Sequence, residues 1–256
     1  MKSLKIWWVA LLVPLCAPAA PMPEAMFILD ASGSMAEAAG GQTKMAAAQA
    51  VLAQVVPAVA PEVKLGLAAY GHRRENDCTD IEVLVPPGTE DRAAVLARIA
   101  AMQPNGMTPI SAAVSQVADL LKGRDAETTI VLVSDGQETC GGDPCAVVRA
   151  LKAAGVKFVM HVVGFAVTDA DRAQLECIAQ AGGGTYFGAA DAAALLAALQ
   201  QVNAEIAQKV EQAKTQVVTQ ATGLGKVRIV LPESALQSLA GFRIVRKISD
   251  KTVKEG

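Results

Sequence analysis

Three short runs of this sequence carry oxygen-bearing side chains at spacings that suit a metal ion. They are Asp30-Ala31-Ser32-Gly33-Ser34, Gly106-Met107-Thr108-Pro109 and Ser134-Asp135-Gly136. Asp30, Ser32, Ser34, Thr108 and Asp135 together offer two carboxylates and three hydroxyls, and none of the runs holds a histidine or cysteine. Hard oxygen donors with few anionic members suit Mg²⁺, with Mn²⁺ and Ca²⁺ as alternatives. Hydroxyls leave most of the ion's charge unneutralised. A coordination position open to solvent could then accept a carboxylate from a partner.

Other chemistries are poorly supplied. The chain has 2 histidines, which leaves no credible Ser-His-Asp or Cys-His set. His161 lies inside the apolar run Val159 to Val163 and reads as a core histidine with its hydrogen bonds met. His72-Arg73-Arg74 follows the second strand, on the side of the three runs; it reads either as a steering patch for an acidic partner or as solvated loop charge. Gly223-Leu224-Gly225-Lys226-Val227 lacks the spacing of a phosphate-binding loop. Asp30 lacks the second aspartate, two residues on, of an aspartyl-phosphate phosphatase.

The elements that must position these runs can be read from hydrophobic period. Met26 to Leu29 is a continuous apolar run ending at Asp30, as expected of a strand buried on both faces. Residues 31–41 read as a small-residue loop. Further strands are expected at Val63–Tyr70, Ile81–Val85 (an edge strand), Thr128–Ser134, Val156–Phe165 and Thr185–Phe187. Helical patterns fall at Lys44–Val59, Glu90–Met102, Ile110–Lys122, Ala146–Ala154, Asp169–Ala181 and Ala190–Val202. Strands alternating with helices at this spacing imply an α/β fold with a mostly parallel sheet. Ligands of such sheets bind beyond the carboxyl ends of the strands, where the strand order reverses. With the first strand central, all three oxygen-bearing runs converge there.

Composition narrows the class. Of 256 residues, 52% are hydrophobic and 19% charged, which excludes a disordered chain. A net charge of −2 gives no basic face for nucleic acid. Lys2 and Lys5, the apolar run Ile6 to Leu15 and Ala17-Pro18-Ala19 read as a secretory signal peptide over residues 1–19, with cleavage expected after Ala19. No later segment is apolar enough to span a membrane, so the expected location is periplasmic or secreted. Cleavage removes both tryptophans and Cys16, leaving Cys78, Cys140, Cys145 and Cys177. An even number in an exported chain points to disulfides. The main domain is expected over 24–203 and a helical linker, or an extension of the last helix, over 204–224. Residues 225–256 carry two alternating strands, Val227–Pro232 and Phe242–Lys247, read as an incomplete β-rich module because two strands are not stable alone.

The Asp-x-Ser-x-Ser run, the isolated Thr108 and the strand-terminal Asp135 resemble the metal-ion-dependent adhesion site of von Willebrand factor type A domains. The order of elements from Met26 to Val202 fits that fold, and Tyr70 to Arg74 and Asp143 to Val147 resemble a bacterial exported branch. The resemblance implies a doubly wound, Rossmann-like sheet of six strands with helices on both faces. It implies Ser32, Ser34 and Thr108 as direct or near-direct ligands, with Asp30 and Asp135 acting mainly through waters. The function so implied is metal-dependent protein binding without catalysis. A hydrolase using the same oxygen cluster to activate water, and a structural domain with a vestigial site, are the alternatives.

Topology also constrains the cysteines. Cys78 and Cys177 belong near opposite edges of the sheet, beyond the roughly 7 Å that a disulfide allows between Cα atoms. Cys145 and Cys177 lie on helices that successive right-handed crossovers place on one face. The expected pairs are Cys145–Cys177 and Cys78–Cys140.

Overall fold

The computed structural model of the chain describes residues 22–215, together with 220–222, 226–228, 245–248 and 252–255. Its central sheet contains β1 (Glu24–Asp30), β4 (Lys64–Tyr70), β5 (Ile81–Thr89), β6 (Thr128–Ser134), β7 (Phe158–Phe165) and β8 (Gly183–Ala189). The helices are α1 (Lys44–Ala58), α2 (Arg92–Ala100), α3 (Ile110–Leu121), α4 (Pro144–Ala153), α5 (Asp169–Ala181) and α6 (Ala192–Thr215). The strand order is β5-β4-β1-β6-β7-β8. Every neighbouring pair is parallel except β4 with β5, which is antiparallel. The chain thus winds outward from β1 in both directions, and the reversal of order falls beside it.

Alternation along the strands divides the core into two layers. Phe27, Leu29, Leu65, Leu67, Val131 and Val133 pack with the buried faces of α1, α2 and α6. Met26, Ile28, Ala68, Tyr70, Ile130 and Leu132 pack with those of α3, α4 and α5. Central strands buried on both faces need apolar residues at every position, which is why β1 and β6 are continuous apolar runs.

Several boundaries differ from the sequence reading. Residues 31–43 are more than a loop: Gly33–Ala36 form a 3₁₀ turn, and β2 (Ala38–Ala39) pairs with β3 (Gln42–Thr43) as a small hairpin. Gly40 and Gly41, both at positive φ, make its turn without the penalty a side chain would carry. Strand β5 continues through Pro86 and Pro87, which an edge strand tolerates because one side of its backbone needs no partner. Helix α6 runs on past Asn203 to Thr215, because Ile206 and Val210 continue its buried stripe into the core.

Residues 21–210 form one compact unit. Beyond it, β9 (Gln220–Thr222) pairs with β10 (Lys226–Arg228), and β11 (Val245–Ile248) with β12 (Thr252–Glu255), both antiparallel. The expected signal peptide, 1–19, and the parts 229–232 and 242–244 of the two expected strands lie outside the described residues. Among the described residues no helix is long and apolar enough to cross a membrane. Disulfides join Cys78 to Cys140 and Cys145 to Cys177, each with Cα atoms 5.7 Å apart.

Candidate metal centre

Parallel register aligns the carboxyl ends of three adjacent strands. Asp30 on β1 pairs with Tyr70 on β4, and Leu29 pairs with Val133 on β6, which sets Ser134 beside Asp30. Asp30 Oδ2 accepts from Ser134 Oγ at 2.6 Å and Tyr70 Oη at 2.9 Å, while its Oδ1 accepts from the Ser32 backbone N–H at 2.8 Å. The residue is fully buried. Burial, and next the negative charge of Asp135, raise its pKa to about 6, against the lowering effect of the Ser134 and Ser32 bonds.

From Asp30 the polar chain runs outward. Ser32 Oγ and Ser34 Oγ are 3.1 Å apart, and Ser34 Oγ donates to Asp135 Oδ1 at 2.8 Å. The other Asp135 oxygen accepts from Lys44 Nζ at 2.9 Å, and the same ammonium reaches Glu37 Oε2 at 2.8 Å. Burial works to lower the Lys44 pKa, but the bonds and charges of Glu37 and Asp135 outweigh it and hold the value above the ordinary one.

Backbone contacts bring the Thr108 loop against the first. Gly33 N–H donates to Gly106 O at 2.9 Å, and Ser32 forms an isolated bridge with Gly106. Asn105 N–H is shared between Ala31 O and Gly71 O, and Gly106 N–H donates to Gly71 O at 2.7 Å. This approach requires glycine. A Cβ on Gly71 would lie 2.5 Å from Met107 O, and one on Gly106 would lie 2.4 Å from Arg74 O. Thr108 is nearly buried; its N–H donates to Thr139 Oγ1 at 2.8 Å and its carbonyl accepts from Thr139 N–H at 3.1 Å.

Comparison with known proteins bears on the fold. The profile of the von Willebrand factor type A domain matches residues 25–137. The fold is of the von Willebrand factor type A kind, and the matched stretch contains all five candidate ligands. The chain is 28% identical over 171 residues to the YwmD protein of Bacillus subtilis (strain 168), covering 63% of this chain and 76% of that one. Its fold superposes on BatB from Bacteroides thetaiotaomicron with a TM-score of 0.60 at 17% identity, over 73% of this chain and 98% of that one. It also superposes on proximal thread matrix protein 1 of the mussel byssus, in a structure with zinc occupying the MIDAS motif. That match has a TM-score of 0.56 and 15% identity, over 72% of this chain and 46% of that one.

The donor set fits a hard divalent cation. Among the described residues no group of three His, Cys, Asp or Glu side chains could hold an ion, so a metal here must draw on hydroxyls. Asp30, Ser32, Ser34 and Asp135 are joined by direct hydrogen bonds, and Thr108 is brought in through its loop backbone. Residues that the sequence reading did not single out complete the surroundings: Tyr70, Ser134, Lys44 and Glu37. So does Glu138, whose Oε2 accepts the Ser111 N–H at 2.8 Å, supplying the cap that Pro109 cannot give α3. Lys44 carried a signal, since a lysine opening a helix opposes the helix dipole.

The candidate steering residues are engaged with acidic residues of their own loop and of β5. His72 Nε2 meets Glu82 Oε2 at 3.1 Å. Arg73 pairs with Asp80 at 2.7 Å and Glu82 at 3.0 Å, and Arg74 with Asp77 at 2.7 Å. Asp80 is fully buried; burial pushes its pKa up, but the N–H groups of Arg73 and Arg74 and the Arg73 guanidinium bring it below the ordinary value. His161 lies away from the site on β7. Its Nδ1 accepts the Thr185 N–H at 3.2 Å, at a register shift between β7 and β8, and its Nε2 faces Glu205 at 3.4 Å.

Proposed function

We propose that this chain is an exported, divalent-metal-dependent protein-binding module that docks an acidic side chain of a partner protein, and that it is not an enzyme. The observation that carries this reading is the convergence of Asp30, Ser32, Ser34 and Asp135 into one bonded, largely buried oxygen cluster, with the Thr108 loop clamped against it. In this reading Ser32, Ser34 and Thr108 hold Mg²⁺ directly or nearly so, and Asp30 and Asp135 hold its waters. A hydroxyl-rich donor set leaves the bound ion electrophilic enough to attract a carboxylate. The protein's own part is to keep the hydroxyls in place. Asp30 anchors the Ser32 backbone, and Asp135 orients Ser34.

A hydrolase would need a general base near the activated water. Both histidines are committed elsewhere, His72 to Glu82 and His161 to Thr185 and Glu205. That favours binding over catalysis. The zinc in the MIDAS motif of the mussel byssus protein supports metal use on this fold, and the two disulfides together with the N-terminal run support export.

Titration calorimetry tests the site. Mg²⁺ or Mn²⁺ should bind, and Asp30→Ala or Ser32→Ala should abolish binding while circular dichroism stays unchanged. Binding that survives both substitutions would reject the assignment. A pull-down from envelope extract in Mg²⁺ against EDTA tests the docking role; a partner retained equally in both would remove the metal from recognition.

A further inference from the structure

Lys44 occupies a position that neither helix formation nor solvation explains. It is the first residue of α1, where the helix dipole disfavours a cation, and it is 7% exposed. The helix is already capped without it, since Thr43 Oγ1 accepts the Ala46 N–H at 3.1 Å. A buried ammonium needs paired anions, and it has two: Glu37 Oε2 at 2.8 Å and Asp135 Oδ2 at 2.9 Å. The Lys44 N–H also donates to Glu37 O at 2.9 Å, closing the β2–β3 hairpin and holding the pair together. One charge of the chain's own is thereby fixed on a carboxylate of the proposed metal site.

We infer that Lys44 is a tethered counter-ion that competes with the divalent cation for Asp135 and keeps the affinity of the site low enough for reversible loading. The inference rests on the metal reading above. Without a metal, Asp30, Asp135 and Glu37 are partly balanced by this one ammonium. A divalent ion entering beside Asp135 must work against the like charge, and Glu37, largely exposed, offsets part of that repulsion. Asp135 meanwhile has one oxygen bonded to Ser34 and the other to Lys44, an arrangement that favours contact with the metal through water.

The test is calorimetric titration of the purified chain with Mn²⁺, in wild type, Lys44→Met, Lys44→Arg and Glu37→Gln. Removing one positive charge a few ångströms from a divalent ion should tighten Mn²⁺ binding roughly tenfold or more. Lys44→Arg, which keeps the charge, should bind as wild type does. Glu37→Gln should bind more weakly, since it leaves the ammonium less compensated. Thermal melting supplies a second readout: Lys44→Met should melt below wild type in EDTA, and saturating Mn²⁺ should remove the deficit. Unchanged or weaker Mn²⁺ binding by Lys44→Met overturns the inference and makes Lys44 a buttress for Asp135. If Lys44→Met fails to fold, Lys44→Gln decides in the same titration: tighter Mn²⁺ binding supports the counter-ion, and unchanged or weaker binding overturns it. No binding by wild type would instead reject the metal reading itself, and the inference with it.

Discussion

Tyr70 donates its hydroxyl proton to Asp30 Oδ2 across two neighbouring strands, at 2.9 Å and fully buried. Burial, then the charge of Asp30, hold the phenol pKa well above its ordinary value, so the group stays a donor at every relevant pH. Tyr70→Phe keeps the ring and removes the bond, leaving Ser134 as the side-chain donor to that oxygen. The expected cost is about 1–3 kcal/mol in urea unfolding, with metal affinity reduced several-fold. Wild-type values on both counts would reduce Tyr70 to a core filler.

Gly71 is expected to tolerate no side chain. Its φ of +69° is costly for any other residue, and a Cβ there would meet Met107 O at 2.5 Å and Ser32 Cα at 3.0 Å. Gly71→Ala should lose about 1–3 kcal/mol and, by spreading the Ser32 and Thr108 loops, most metal binding. Stability by chemical denaturation and binding by calorimetry check both. Loss of stability with normal binding would show that the loops are positioned independently of this contact.

The two disulfides should separate by function. Cys78–Cys140 ties the loop of Gly71 to the loop that carries Asp135 and Thr139, whereas Cys145–Cys177 joins α4 to α5. Replacing either pair by serine should cost about 2–4 kcal/mol. Only loss of Cys78–Cys140 should also weaken metal binding. Equal effects of the two replacements on affinity would contradict this division.

His161 should make stability pH-dependent. Burial lowers its pKa below the ordinary 6.5, outweighing the attraction of Glu205, with Lys209 adding to the lowering. The unfolded chain then binds the proton more readily than the folded one, so stability rises with pH toward about 6.5 and is lost as pH falls below it. Protonation would also cost the Thr185 N–H its acceptor at the β7–β8 register shift. Melting temperatures at pH 7.5 and 5.5 should differ more for wild type than for His161→Gln, in which this contribution is absent. Equal differences would assign the acid sensitivity to other groups.

The sequence by itself determined the six strands of the central sheet, the six helices and what kind of chemistry they could hold. Apolar runs such as Ile130 to Val133 and helical repeats such as Ile110 to Leu121 declare their period locally, and no distant contact is needed to read them. The hard-oxygen character of Asp30, Ser32, Ser34, Thr108 and Asp135 was legible for the same reason: each stands at a strand or helix junction. Cysteine pairing followed from topology, because opposite edges of a sheet lie beyond the reach of a disulfide and successive right-handed crossovers set the helices of Cys145 and Cys177 on one face.

Tertiary structure alone decided what those groups touch. The bonds of Asp30 to Tyr70 and Ser134 span 40 and 104 residues, and those of Asp135 to Lys44 and Ser34 span 91 and 101. Each depends on strand register and loop packing. A lysine opening a helix can be read only as an oddity until the fold sets Asp135 beside it. The full length of α6 was hidden for a related reason, since its later turns are polar except for a sparse stripe. Ile206 and Val210 acquire meaning from the core they cover. Local sequence fixes conformation through short-range sterics and hydrophobic period, whereas contacts between residues far apart in the chain exist only once burial has chosen one packing of the layers.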